Sequence, residues 1–256
     1  MPYKNKKVAV IIPAHNEQGS IADVVQGIVS LISQSTKQPL VDEVIVCDNH
    51  SSDETASKAT QAGARVVYEH QKGYGAACLK AISSLDTKTD YVIFVDGDSS
   101  VEPSELILLI EQLEKGVDLV VGSRVNDRLE KGALSPHQRI GNEMASLLIR
   151  KIWKQNVTDL GPFRAMQYSS LQAINMQDVA FGWTVEMQVK VIQSGLAYKE
   201  VMVSTRKRIG KSKISGTVSG TIGAAVGIFS KIFLLYWQQK EFVQSNPIQN
   251  VLKSKS

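Results

Sequence analysis

Residues 91–98, Tyr-Val-Ile-Phe-Val-Asp-Gly-Asp, constrain the fold more than any other stretch of the chain. Positions 91–95 are all β-branched or aromatic, and the run stops abruptly at two carboxylates. A strand that is apolar on both faces is buried on both faces, which requires a mainly parallel sheet covered by helices on either side. Asp96 and Asp98 then stand at the C-terminal end of a buried strand. One residue separates them, so both can lean toward a single cation. Hard divalent cations such as Mg2+ or Mn2+ take a few carboxylate oxygens and fill their other positions with water or substrate phosphates. The same three residues equally make an ordinary turn, because Asp and Gly are turn formers.

The first half of the chain alternates in the way such a sheet needs. Strands are expected at 8–13, 43–47, 64–68, 91–95 and 117–121, with helices at 21–32, 53–62, 73–85 and 103–113 between them. This rhythm predicts a three-layer α/β/α domain whose ligands bind outside the C-terminal strand ends, where Asp48, Asp96 and Asp98 would gather. Beyond Gly122 the pattern loosens: a helix at 137–154, a helix at 183–193, a strand at 197–203, then a basic loop with Arg206, Lys207, Arg208, Lys211 and Lys213. Segment 214–237 is apolar but rich in Gly, Ser and Thr, and a polar tail follows. A membrane span needs ~20 predominantly apolar residues, and this segment is diluted. It reads as an interfacial helix anchored by Tyr236 and Trp237, as an amphipathic helix packed in the fold or a homo-oligomer, or, least well, as a span.

Apolar residues make up 43% of 256 positions, enough for a sizeable core and against global disorder. Lys4, Lys6 and Lys7 precede an apolar run that ends at Pro13, too short for a secretory signal. Cys47 and Cys78 fall in an expected strand and an expected helix without metal-type spacing, so a reduced cytoplasmic protein is expected. Charge is unevenly divided: residues 1–128 carry 12 Lys/Arg and 18 Asp/Glu, residues 129–256 carry 17 and 7. An acidic half that holds a cation beside a basic half that holds an anion suits a metal–diphosphate substrate or an anionic membrane surface. Nucleic acid is disfavoured, since no helix-turn-helix, zinc-finger or aromatic stacking pattern accompanies the basic residues.

Smaller motifs stand at the other strand ends. After Pro13, the turn His15-Asn16-Glu17 leads into a helix, and Glu17 either accepts from a ribose or serves the helix start. Asp48 is placed to read a nucleobase N–H, while Ser51, Ser52 and Asp53 suit N-cap chemistry. Lys72-Gly73-Tyr74-Gly75 opens a helix, as an anion site or as a tight turn. The Gly-x-Gly-x-x-Gly and Walker patterns are missing, which argues against dehydrogenases and P-loop enzymes. His70 and His137 read as surface residues, and Trp153, Phe181 and Trp183 as packing rather than sugar platforms. Glu186 either approaches an acceptor or caps its helix.

Taken in order, Val10-Ile11-Ile12-Pro13-Ala14-His15-Asn16-Glu17, the stretch from Asp48 to Thr55, Lys72-Gly73-Tyr74-Gly75-Ala76-Ala77, Asp96-Gly97-Asp98, Gly122-Ser123-Arg124, Arg139-Ile140-Gly141-Asn142, Thr158-Asp159-Leu160-Gly161-Pro162-Phe163-Arg164-Ala165, Gly182-Trp183-Thr184-Val185-Glu186-Met187 and Ser212-Lys213-Ile214-Ser215 resemble glycosyltransferase family 2. The later motifs are similar to its dolichol-phosphate mannose synthase-like branch. The resemblance implies a GT-A fold and a metal-dependent, inverting transfer from a UDP- or GDP-linked sugar to a lipid or polyprenyl phosphate at the cytoplasmic membrane face. It implies a GT-A domain over 1–213, divided into a nucleotide- and metal-binding half (1–122) and an acceptor half (123–213). The apolar helix over 214–240 and the polar tail over 241–256 follow. It further implies that Pro13, His15, Glu17 and Asp48 line the nucleoside pocket and that Gly73 and Gly97 belong to the donor site. Asp96 and Asp98 would hold Mg2+ or Mn2+, Arg208 and Lys213 would close over the donor phosphates, and Arg124, Arg139 and Asn142 would meet the acceptor. Asp159 would be the base for a hydroxyl acceptor, or would orient the acceptor or a cationic partner if that acceptor is already ionised. Two departures touch substrate identity: Gly161-Pro162 replaces the Ser-Gly common in that branch, and Tyr74 stands where a basic residue is frequent. A soluble-acceptor transferase and a non-catalytic nucleotide-sugar-binding protein are the rival readings. A sugar-phosphate nucleotidyltransferase would need a Gly-rich, Arg-containing start that is missing here.

Overall fold

The computed structural model describes residues 5–33, 37–210 and 218–245, with side chains of the last segment described from 223 to 239. Its strands are β1 (Val8–Ala14), β2 (Glu43–Asp48), β3 (Arg65–Tyr68), β4 (Tyr91–Phe94), β5 (Leu119–Ser123), β6 (Arg164–Gln167) and β7 (Tyr198–Met202). Its helices are α1 (Ile21–Val29), α2 (Thr55–Gln61), α3 (Tyr74–Ser83), α4 (Leu106–Leu113), α5 (Pro136–Trp153), α6 (Tyr168–Ile174), α7 (Trp183–Gln193) and α8 (Val218–Ser245). The strands form one sheet in the order β3-β2-β1-β4-β6-β5-β7. Only β6 runs antiparallel, between β4 and β5.

The apolar runs do what their pattern requires. Val92, Ile93 and Phe94 are fully buried, one face of β4 against α1 and α4, the other against α3 and α7. Helix α1 packs through Ile21, Val24, Val25 and Ile28, the i, i+3, i+4, i+7 stripe of an amphipathic helix. Helix α7 has no solvent face of comparable size. Trp183, Met187 and Val191 meet the sheet, while Val185 and Val189 join Ala145 and Ile149 of α5 and Ile232 and Leu235 of α8 in a third apolar cluster.

Helix α5 starts at a capping box, in which the Ser135 hydroxyl accepts the Gln138 N–H and the Gln138 side chain accepts the Ser135 N–H. Expected and observed α7 coincide. Strand β6 and helix α6 were not anticipated: Arg164-Ala165-Met166-Gln167 shows no alternation, and its two neighbours across the sheet hold it extended. The apolar segment expected at 214–237 is α8 from Val218, and the helix continues to Ser245 through residues assigned to the polar tail. Positions 214–217 and the tail beyond 245 lie outside the described residues. Among the described residues no helix is long and apolar enough to cross a membrane. Trp153 donates from Nε1 to Gln239 and so ties α5 to α8 (2.7 Å).

Two glycines before and within α3 have a packing reason. The backbone of residues 178–179 crosses directly over them, and Ala76 N–H donates to Val179 O (3.0 Å). A Cβ on Gly73, which also has φ +149°, would lie 2.0 Å from Val179 O, and one on Gly75 would lie 2.0 Å from Asp178 O. The glycines therefore admit a crossing chain. Gly75→Ala must displace that crossing, and an overpacking cost of about 1–3 kcal/mol is expected in urea unfolding. An unchanged midpoint would remove the close approach as its explanation.

Candidate active site

The C-terminal ends of β1, β2 and β4 converge on a cleft of about 410 Å³. The chain leaves these strands through tight turns in which Asn16 (φ 54°), His50 (φ 65°) and Ser99 (φ 61°) adopt the left-handed region. Pro13, His15 and Glu17 from β1 and its turn line one wall. Gly73 lines another, and Asp96, Gly97 and Asp98 continue β4 into the cleft, with Arg208 and Phe181 closing it. Asp48 stands just behind this lining: it is buried, Oδ2 accepts the Ser51 N–H (3.3 Å), and Oδ1 has no partner among the described residues. Lys213 lies outside the described residues.

The turns brace one another. His15 Nδ1 donates to Asn49 O (2.8 Å), Asn16 N donates to Ser51 Oγ (2.9 Å) and Glu17 N donates to Thr55 Oγ1 (2.8 Å). Asp53 both caps α2 at Thr55 N (3.0 Å) and accepts Gln18 N (3.3 Å). Asn49, not singled out from the sequence, clamps the cleft's far wall. Its Nδ2 donates to Glu69 O (3.1 Å) and Gln71 O (2.7 Å), and its Oδ1 accepts Gly73 N (2.9 Å).

The two carboxylates of the Asp-Gly-Asp turn have different surroundings. Asp96 is half-buried, and Oδ1 accepts the Tyr74 hydroxyl (3.2 Å). Asp98 is 3% exposed; Oδ1 accepts Ser100 N (3.0 Å), and Oδ2 is ion-paired with Arg208 but has no hydrogen-bond partner of its own among the described residues. Arg208 is held there by the backbone, because Arg206 N donates to Ser100 O and Ile209 N to Asp98 O (both 2.9 Å). Burial and the Asp98 charge push the Asp96 carboxyl up to about 7. Burial and Asp96 in turn raise the Tyr74 hydroxyl, so it remains a donor. Two acids crowded at a strand end, one already compensated by a guanidinium, fit the hard-cation site expected from the sequence. Among the described residues no group of three His, Cys, Asp or Glu gathers.

A second cavity of about 270 Å³ opens from the same place and shares Tyr74, Asp96, Phe181 and Arg208 with the first. One wall is apolar, from Ala224, Ala225, Ile228 and Phe229 of α8; Arg124 lies at the inner end, with Asn142 and Trp183. Asp159 is fully buried and accepts from Arg124 N (2.7 Å), Nε (2.9 Å) and Nη2 (2.7 Å). Burial alone would raise its pKa, but the Arg124 charge and hydrogen bonds outweigh it and hold Asp159 below the usual carboxylate range. A proton acceptor so strongly engaged is a poor base. Of the two roles the sequence left open, the geometry supplies the cationic partner. Gly161 belongs to this pair: a Cβ there would lie 3.1 Å from Arg124 Nε and 3.3 Å from Asp159 Oδ2.

The remaining expected residues are plainly positioned. Asn142 uses both ends of its amide on the 158–160 loop, donating to Thr158 O (3.0 Å) and accepting Leu160 N (2.9 Å). Arg139 is exposed and outside the lining of both cavities. Glu186 is buried, accepts Asp178 N (2.7 Å) and pairs with Lys190 (2.8 Å), so it braces the crossing segment. His70 is on the surface, and His137 lines the second cavity. Arg164 is fully buried behind Asp159, donating to Gly161 O (3.2 Å) and Thr184 O (2.9 Å).

This architecture is shared with glucosyl-3-phosphoglycerate synthase from Mycobacterium tuberculosis, solved in complex with Mn2+, UDP and glucosyl-3-phosphoglycerate. The TM-score is 0.70 at 21% identity, over 89% of this chain and 80% of that one. The fold is therefore GT-A. The family described as Glycosyl transferase family 2 matches residues 9–174. An uncharacterized glycosyltransferase of Mycobacterium bovis is 32% identical over 88% of this chain and 97% of its own length. The dolichyl-phosphate hexose transferase of Haloferax volcanii is 26% identical over 88% of this chain and 92% of its own. The chain belongs to glycosyltransferase family 2, and it is an enzyme of that class.

The raised Asp96 carboxyl has a consequence for stability. The folded state keeps a proton there that the unfolded chain releases from about pH 4 upward, so this group costs stability as pH rises from about 4 to about 7. Asp96→Asn mimics the protonated form. Its melting temperature should exceed the parent's by a margin that grows across that window and levels off above it; a pH-independent margin would contradict the raised value.

Proposed function

We propose that the chain transfers a sugar from a UDP- or GDP-linked donor to a lipid phosphate of the polyprenyl-phosphate class, with inversion, at the cytoplasmic face of a membrane. The observation that carries this reading is the pair of cavities meeting at Asp96, Phe181 and Arg208: one walled by strand-end turns that bring Glu17, Lys72, Asp96 and Asp98 to its lining, one walled by apolar α8 residues with a guanidinium at its inner end. The first suits a nucleoside diphosphate, with Pro13, His15, Glu17 and Asp48 around the nucleoside and Gly73 and Gly97 beside the phosphates. Mg2+ or Mn2+ held by Asp96 and Asp98 would offset the charge of the departing diphosphate. Arg208, already at this edge, would move its positive charge onto phosphate oxygens, with Lys213 joining it.

The second cavity suits an anionic head on an apolar chain. Arg124 is locked by Asp159 through Nε and Nη2, which leaves Nη1 to the acceptor phosphate. Asn142 holds the adjoining loop, and Arg139 would act at the cavity mouth. A phosphomonoester has a second pKa near ~6 and is ionised at neutral pH. It attacks the anomeric carbon from the face opposite the diphosphate without a base, a route supported by the engagement of Asp159 with Arg124. Membrane contact is supported by the outer faces of α5 and α8, where Ile140, Met144, Leu147, Val226, Phe233, Leu234 and Trp237 are exposed beside that mouth. The name of the Haloferax volcanii relative and the UDP and Mn2+ of the solved neighbour support the acceptor and donor classes.

Thermal-shift titrations with UDP-, GDP- and dTDP-sugars, with and without Mn2+, are expected to select one nucleotide class in a metal-dependent way. Asp98→Asn should abolish the shift and lower transfer to a polyprenyl phosphate by about 100-fold or more. Asp159→Asn should cost less in turnover than Asp98→Asn, although it unpairs the partly buried Arg124 and should lower stability by about 3 kcal/mol. Transfer to a soluble hydroxyl acceptor, with no flotation on anionic vesicles, would replace the lipid reading. Binding without any transfer would replace the enzyme mechanism.

A further inference from the structure

We infer that the indole N–H of Trp183 is a recognition donor for a hydroxyl of the transferred sugar, which makes Trp183 a specificity-determining residue. The inference rests on the transferase reading above. Trp183 is 1% exposed, and its Nε1 has no hydrogen-bond partner among the described residues. Buried donors are almost always paired in native proteins, and a tryptophan placed only for bulk normally finds an acceptor for its N–H. Its neighbours in the same apolar cluster, Met166, Met187 and Val191, offer that face of the sheet no strong acceptor. Packing alone would be served as well by another apolar ring.

The position of the ring points to the sugar. Trp183 stands edge-on to Phe94, with ring centroids 6.1 Å apart at 63°. Phe94 is the last residue of β4, and Asp96 stands two residues further on, where the chain enters the cleft. Trp183 therefore packs on the strand end from which the Asp96 turn departs. It lines the second cavity, as do Tyr74 and Asp96, which mark the junction of that cavity with the first. A donor held by its diphosphate at Asp96 and Asp98 carries its sugar directly beyond that diphosphate, over this junction. An indole N–H only donates, so the atom it meets must be an acceptor, and a sugar hydroxyl oxygen supplies one. An acceptor phosphate oxygen has the same chemistry, and the kinetic arms below separate the two.

The experiment compares the parent with Trp183→Phe and with Trp183→3-benzothienylalanine, which keeps the bicyclic shape but replaces N–H by sulfur. The probes are the nucleoside diphosphate and the nucleotide sugar that shift the melt most, each with Mn2+. In both variants diphosphate affinity should be unchanged, while kcat/KM for the nucleotide sugar should fall about tenfold, the scale of one lost hydrogen bond. A series of deoxy donors should contain one that is penalised in the parent and not further penalised in the variants, which names the hydroxyl. Unchanged donor kinetics in the benzothienyl variant would overturn the inference and leave the transferase reading standing. A loss confined to the KM of the acceptor would also overturn it, assigning the N–H to the acceptor phosphate. Failure of the parent to bind any nucleoside diphosphate would instead remove the transferase reading and this inference with it.

Discussion

A guanidinium–carboxylate pair, its acid fully buried and its base partly so, holds the inner end of the cleft. Asp159 takes three hydrogen bonds from Arg124, one from its backbone and two from its side chain, and is itself almost wholly removed from water. Such a pair returns little net stability, because the carboxylate is fully and the guanidinium largely desolvated, but the loss of either partner is costly. Around it the chain has been thinned to make room. Gly161 has Arg124 and Asp159 at contact distance, and Gly122 has Phe163 and Val203. Arg164 then fastens Gly161 O to Thr184 O, and Gln188 donates to Asp159 O (2.9 Å). The exit of β5, the 158–163 loop and the start of α7 are thus one polar knot, and both cavities are shaped by it.

Helix α7 carries that rigidity outward. Its inner side is part of the sheet's core and its outer side packs on α5 and α8, so the apolar wall of the second cavity is referred back to the strand ends through a single element. The segment leading into α7 does the same for the first cavity. It crosses α3 over Gly73 and Gly75, Lys231 of α8 pairs with Asp178 (2.9 Å), and Phe181 stands in both cavities with α8 Gly227 against it.

Much of this was readable in the residue order. The 91–95 run specifies a doubly buried strand, and the strand–helix rhythm specifies the parallel half of the sheet. The carboxylates fall at the correct edge because strand ends in such sheets are where ligands bind. What escaped was settled by contacts between distant parts of the chain. Strand β6 has neither β-branched residues nor alternation and exists because β4 and β5 offer it partners. The glycines before and in α3 read as an anion site or a tight turn, and the crossing of residues 178–179 over them, which also requires their smallness, had no signal in the sequence. Asn49, the Tyr74 hydroxyl bond to Asp96 and the position of Phe181 had no local signal. For Asp159, spacing alone could not separate a base from an orienting group, since the answer depends on where the Arg124 side chain reaches.

The acidic edge also carries its own counter-ion. Arg208 is stitched by backbone hydrogen bonds to the very turn whose carboxylate it pairs with. On the proposed reading the cleft works as an ion exchanger. Asp96 and Asp98 would take up a cation arriving with a polyanion while the Arg208 guanidinium shifted to the phosphates, and the reverse would occur on departure. Neither the filled nor the emptied state then leaves two adjacent acids uncompensated, so each exchange is close to electrically neutral, and turnover need not wait on stranding a bare charge in a half-dry site.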